Sequence, residues 1–401
     1  MKVLYILLLF ILVSCVETKT EYFTEEQKTS VMVDSAKIIS SKTDLVEKIY
    51  LRDFVHNREA FILDEYIDTI QVLFLDDTLE DGLVGRINNV IVTEKYIYIM
   101  DNIGENSVVI FDIDGKFVKR IPNGNGPGEI SKVYDITYDK YTHNIILTVP
   151  RGIAIYEENG EYIKSVLRPF QCSDFVCTED GYICYQSTHA GYNEHLLQHQ
   201  GNSILFVDRD FRLKWSALPH FNYTPHGMMY DVLETSEGCI RAEVYNDTIY
   251  SIDEKGVKAK YVLDLGEEKF PAEYANDKSL ASLDAHNRIL EASNYTYLSH
   301  YLETKTHQFF KVGSSKEGVS YIFRDKQTKK IVGGRVYGYN QEILPILIEP
   351  RFISGDWFIS PYHICNWQFS SSLISKEANK KFLKMDEESN MVLILYKLKQ
   401  F

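Results

Sequence analysis

The sequence predicts an all-β fold, a six-bladed β-propeller, and three observations carry that reading. The first is the stretch 96–139, which holds three short β-runs: Tyr96–Asp101, Val108–Asp112 and Phe117–Ile121. Asp114-Gly115 joins the second to the third, and this pair suits the positive backbone angles of a tight hairpin. The second is recurrence, because units of strand, turn and strand follow one another along most of the chain. The third is a mismatch at the ends. Ile67–Leu75 is a strand with no unit of its own, whereas the last unit has only three strands. Giving the early strand to the last unit closes the ring and removes its open edge.

The elements follow in order. Residues 49–66 are mixed and suit a short helix or an edge segment. Blade 1 comprises Arg86–Val92 and the three runs above. Blade 2 reads Val133–Asp139, Asn144–Val149, Ile153–Tyr156 and Tyr162–Leu167, with Asn159-Gly160 as its hairpin turn. Blade 3 reads Asp174–Thr178, Tyr182–Gln186, Ser203–Val207 and Leu213–Leu218. Blade 4 reads Asp231–Thr235, Cys239–Val244, Thr248–Ile252 and Val257–Leu263. A helix is expected near Glu273–Leu290. Blade 5 falls within Ile289–Val332, which holds more apolar runs than four strands require. The last blade draws on Ile343–Ile353, Trp357–Ser360 and Met391–Leu398, with a helical stretch near Leu373–Met385 before the final strand.

The N-terminus carries an address. Lys2 precedes an apolar run, Leu4–Val13, that is about half the roughly 20 residues a membrane-spanning helix needs. It ends in Leu12-Val13-Ser14-Cys15, which matches a bacterial lipobox. Residues 1–14 thus read as a lipoprotein signal peptide, with Cys15 as the lipidation site and new N-terminus. Residues 15–48 are polar and lack a long apolar stripe, and read as a flexible tether. The propeller domain is then 49–401.

With 43 Lys and Arg against 57 Asp and Glu, the net charge of −14 repels polyanions and excludes nucleic acid as a natural partner. Tyr (28) and Phe (21) outnumber Pro (10), as many half-buried strands require. Six cysteines less Cys15 leave an odd number, so the chain is no disulfide framework. Cys172 and Cys177 lack the second pair that a zinc site needs, and read as structural thiols.

Four segments together resemble a known family: Phe111-Asp112-Ile113-Asp114-Gly115-Lys116-Phe117, the corner Gly126-Pro127-Gly128-Glu129, the lipobox, and Leu393-Ile394-Leu395-Tyr396-Lys397-Leu398-Lys399. They resemble the six-bladed β-propeller lipoproteins of Bacteroidetes, which are similar to NHL-like propellers. Pro122 and Ile130 stand where that pattern has Gly and an aromatic. The resemblance implies a propeller anchored by lipid in the cell envelope, at the outer membrane, facing the periplasm or the surface. It supplies no catalytic residues.

Chemistry is harder to place. Asn123–Glu129 is glycine-rich, but no Lys-Ser/Thr follows, so it reads as a corner between blades and not a phosphate loop. In Thr188–Gln200, His195 and His199 would share a face if the segment were helical, and with His189 they are the candidate metal ligands, but the segment reads first as a loop with solvated histidines and no metal. The zincin pattern is absent, since Leu196 follows His195. Strand parity places second-to-third loops and blade connections on one face. Tyr192, His195, Tyr223 and His226 are therefore the candidate ligand-binding residues there. No catalytic set of residues can be assembled, and the cofactor, if any, is unknown from the sequence. The sequence favours a non-catalytic binding module for a glycan, a peptide or an envelope protein. The alternative is a metal-dependent hydrolase or lyase with its site in the central funnel.

Overall fold

The computed structural model describes residues 22–401 except 45, 58, 60, 102–105, 187–191, 221–231, 236–237, 243–244, 272–273, 275–282, 336–344, 364–371 and 387. Its strands form six sheets of at least four strands each, one per blade. The innermost strands are Ile87–Val92, Asp135–Asp139, Asp174–Cys177, Val232–Thr235, Thr296–Glu303 and Phe352–Ser354. They face one another around the central axis.

Each blade is buried on both faces, which explains why its middle strands read as continuous apolar runs. In blade 1, Val109 and Phe111 pack with Ile359, Leu393 and Leu395 of blade 6. Their neighbours Val108 and Ile110 point the other way and pack with Ile136, Ile145 and Leu147 of blade 2. Side chains alternate across a strand, so a strand between two neighbouring blades needs an apolar residue at every position. The core is therefore a ring of inter-blade layers.

Blade 6 closes the ring as the sequence predicts. Val392–Leu398 pairs antiparallel with Ile67–Phe74, with Val392 opposite Phe74 and Ile394 opposite Val72. The Asp114-Gly115 hairpin also forms. Gly115 has φ +85°, and a Cβ there would lie 2.3 Å from the Phe74 carbonyl oxygen, so only glycine fits. The side chain of Asp112 caps this turn by accepting from the N–H groups of Asp114 and Lys116 at 3.0 and 2.9 Å. Asp208, Asp253 and Asp325 cap the corresponding turns of blades 3, 4 and 5 in the same way.

The segment expected to be a flexible tether is, from residue 22 onward, part of the folded body. Lys37–Ile38 adds to the outer edge of blade 3 in parallel with Trp215–Ser216, and Glu47–Tyr50 adds to blade 4 in parallel with Tyr261–Asp264. Within the expected tether Phe23, Val31 and Val33 are buried. The arm has no continuous apolar stripe because its apolar residues fill separate gaps between blade edges. That is why composition alone reads it as a tether.

Candidate functional site

Strands run alternately in each blade, so the turns between second and third strands and the connections between blades leave one end of the molecule. We call this end the loop face. Blade 3 contributes its longest described feature there, residues 192–201. Gln186, fully buried at the end of the second strand, donates through Nε2 to the carbonyls of Gln200 and Asn202 at 2.9 and 3.0 Å. Asn193 donates to Gln186 Oε1 at 2.6 Å and to the Gln171 carbonyl at 2.8 Å, and accepts from Gln171 N–H at 2.7 Å. These two amides pin the loop to the blade.

The candidate histidines are separated by that architecture. His195 Nε2 bonds the Pro169 carbonyl at 2.7 Å, and its ring meets Phe23 edge-on at 5.3 Å. His199 is buried, with Nδ1 2.8 Å from Ser216 Oγ. Between them Leu197 adopts φ 51°, so the segment is not one helical turn and the two rings do not share a face. Burial lowers both imidazole pKa values below the ordinary range. Both histidines hold the loop: the helical turn on which a shared metal face depended does not form, and His199 is buried where a solvated loop histidine was expected. His189, Tyr223 and His226 lie outside the described residues.

Tyr192 is placed as a rim residue, 55% exposed. Its ring stacks on Tyr22 at 4.4 Å with 18° between planes, a contact that only the bound N-terminal arm provides. The guanidinium of Arg151, in the second-to-third turn of blade 2, lies 4.8 Å from the Tyr22 ring centre. On the same face, at the start of blade 2, Tyr134 is 49% exposed with Lys132 over its ring at 4.8 Å. Sequence reasoning missed Tyr22, Tyr134 and Arg151, because nothing local marks them as neighbours of Tyr192.

Among the described residues one group of three metal-capable side chains converges: His56, Glu268 and Glu317. His56 Nε2 lies 3.8 Å from Glu268 and its Nδ1 3.8 Å from Glu317. Asn294 Nδ2 donates to Glu268 and Glu317 at 2.8 and 3.1 Å, and Arg335 is ion-paired with Glu317. A divalent ion would have to displace that cation, so the group is better described as an ion-pair cluster fastening the arm to blades 4 and 5. A second cluster, around the buried Glu303, holds Lys260 and Lys326 at 2.9 and 2.8 Å and Tyr301 Oη at 2.6 Å. It lies at the opposite end, where the one buried carboxylate is held between two lysines.

A family model for a domain of unknown function, DUF4934, matches residues 46–397. The chain belongs to the DUF4934 family. This DUF4934 chain also resembles a solved Bacteroides fragilis protein described as exported, with TM-score 0.67 at 17% identity, covering 88% of this chain and 100% of that one. That likeness supports the propeller fold. A Bacteroides caccae protein of unknown function aligns at TM-score 0.33 and 11% identity over 79% of this chain and 93% of its own. The extracellular domain of a two-component hybrid system from B. thetaiotaomicron aligns at TM-score 0.34 and 10% identity over 68% and 39%. No curated protein matches the chain.

Proposed function

We propose that this DUF4934 protein is a lipid-anchored envelope propeller that acts as a binding module, presenting its loop face to a glycan, a peptide or an envelope protein. The observation that carries this reading is the rim itself. Tyr134 and Tyr192 stand about half exposed on the loop face, with the cations Lys132 and Arg151 beside the rim's aromatic rings. A tyrosine fixed on a rigid blade offers stacking area and a hydroxyl at little entropic cost. The lipobox at Cys15 and the exported Bacteroides neighbour support the envelope location.

The test is binding of a glycan and peptide panel by the purified protein and by the Tyr134→Ala and Tyr192→Ala variants. Tyr141→Ala, on the opposite end of blade 2, is the control. Weaker binding by the rim variants alone supports the reading, and equal binding by all three moves the site off the loop face. A stoichiometric divalent metal with metal-dependent turnover of a panel member would replace the module with a hydrolase or lyase.

A further inference from the structure

We infer that the blade 2–blade 3 sector of the loop face rests on the lipid surface to which the chain is anchored. The inference rests on the proposed lipidation of Cys15, and it assigns to part of the proposed binding face a particular partner, the bilayer.

Tether length is the first ground. Six residues, 16–21, separate Cys15 from Tyr22. Whatever their conformation, seven Cα steps span at most about 25 Å. Tyr22 is held on the loop face by Tyr192 and Arg151, and Phe23 behind it is 2% exposed. A lipid on Cys15 therefore holds this sector close to the headgroups, whereas a tether ending at residue 48 would have left the body free to turn.

Surface chemistry is the second ground. Leu167 and Leu197 are the most exposed leucines of the described chain, at 66% and 57%, and both lie in this sector. Leu167 sits opposite Gly152, and the next residue's N–H bonds the Arg151 carbonyl at 2.9 Å, so Leu167 adjoins the Arg151–Tyr22–Tyr192 stack. Leu197 lies five residues beyond Tyr192, and Tyr134 bonds the blade 2 strand end at Thr148. Exposed leucines among tyrosines and long cations suit the headgroup boundary, where apolar parts sink and polar ends stay wet. Glu25, Glu26 and Glu194 at the same edge, with the net charge of −14, favour zwitterionic over anionic headgroups.

The experiment uses the full chain purified with its lipid, checked by mass, in equimolar phosphatidylethanolamine–phosphatidylcholine vesicles carrying a headgroup nitroxide. Glu194→Cys and Tyr141→Cys are each labelled with bimane, reporting on the loop face and the opposite face. The expected result is quenching several-fold stronger at position 194 than at 141, falling at least twofold at 194 when Leu167→Ser and Leu197→Ser are added, with the anchor alone keeping the remaining difference. A lipidated protein with equal quenching at both positions overturns the docking and leaves the anchor standing. An unlipidated mass removes the anchor, and the docking with it. Quenching at 194 that is undiminished by the leucine changes, or that needs native envelope proteins in the vesicle, assigns the contact elsewhere and overturns the inference.

Discussion

Asn390 accepts a hydrogen bond from the backbone N–H of Val84 at 2.7 Å, across 306 positions of sequence. Its amide also donates to the carbonyls of Asp76 and Gly82 at 2.9 and 2.8 Å, and the residue is 3% exposed. One side chain at the root of the last strand thus satisfies three backbone groups of the 75–86 connection, which runs from the closing blade to blade 1.

Replacing Asn390 with Ala strands one buried donor and two acceptors. Unsatisfied buried groups cost about 1–3 kcal/mol each, and partial hydration relieves some of that. The expected loss is roughly 2–4 kcal/mol in urea unfolding. Asn390→Asp should also destabilise, since it keeps the acceptor for Val84 but turns a charged oxygen toward two carbonyls. An alanine variant within about 0.5 kcal/mol of wild type would show that the clamp contributes little.

Truncation after Asn390 tests the closure itself. Val392, Leu393, Ile394, Leu395 and Tyr396 are nearly or fully buried. Burying such side chains contributes about 1.5–3 kcal/mol each, so five of them match a typical total stability of roughly 5–15 kcal/mol. The shortened chain also bares the Ile67–Phe74 edge. It should elute as aggregate and show no cooperative melt. A monomeric, cooperatively folding truncation would exclude closure by this strand.

The ring was legible in the sequence for a physical reason. A strand buried on two faces must be apolar at successive positions, and Tyr96–Asp101 and Val108–Asp112 show it directly. A further signal went unread: the Asp that ends the third strand at 112, 208, 253 and 325 caps the following turn, and it repeats in blades 1, 3, 4 and 5. The arm was misread because Val31 and Val33 pack into the layer between blades 2 and 3 while Ile39 packs against the layer between blades 3 and 4, a scatter that shows no period. The site was the least legible part. His195 and His199 are parted by the backbone at Leu197, and Tyr192 meets Tyr22 through a contact spanning 170 positions that no local pattern records.

Acid should weaken the fold through His300. Its ring packs edge-on against Phe309 at 6.0 Å and lies opposite Lys311. Burial, aided by the charges of Lys311 and Arg351 and opposed by Glu349, lowers its pKa from 6.5 to about 4. In the unfolded chain the imidazole takes its proton near 6.5, in the folded chain only near 4. Between those values the unfolded state binds more protons, so stability present above 6.5 is lost as pH falls toward 4. His220, also lowered to about 4, adds the same sign. Denaturation midpoints should drop from pH 7.5 to pH 5, less steeply in His300→Gln. An unchanged slope in that variant would clear His300.

Release of the arm is the last expectation. Phe23 is 2% exposed and meets His195, while Tyr22 lies between Tyr192 and Arg151. The helix Glu25–Ser30 follows at once, capped by Thr24, whose side chain accepts from Gln27 N–H, and none of its residues is buried. So short a helix is not stable alone, and it depends on the aromatic pair before it and on buried Val31 behind it. Phe23→Ala removes a large buried side chain, worth about 3 kcal/mol or more locally, and Tyr22→Ala removes a stack worth about 0.5–1.5 kcal/mol. Both should speed tryptic cleavage after Lys28, Phe23→Ala the more, with the global melt nearly unchanged because the six blades do not depend on this end. Cleavage after Lys28 at the wild-type rate in Phe23→Ala would mean that the arm is held by Val31 and the added strands alone. A global melt that falls with the local one would make the arm part of the cooperative core.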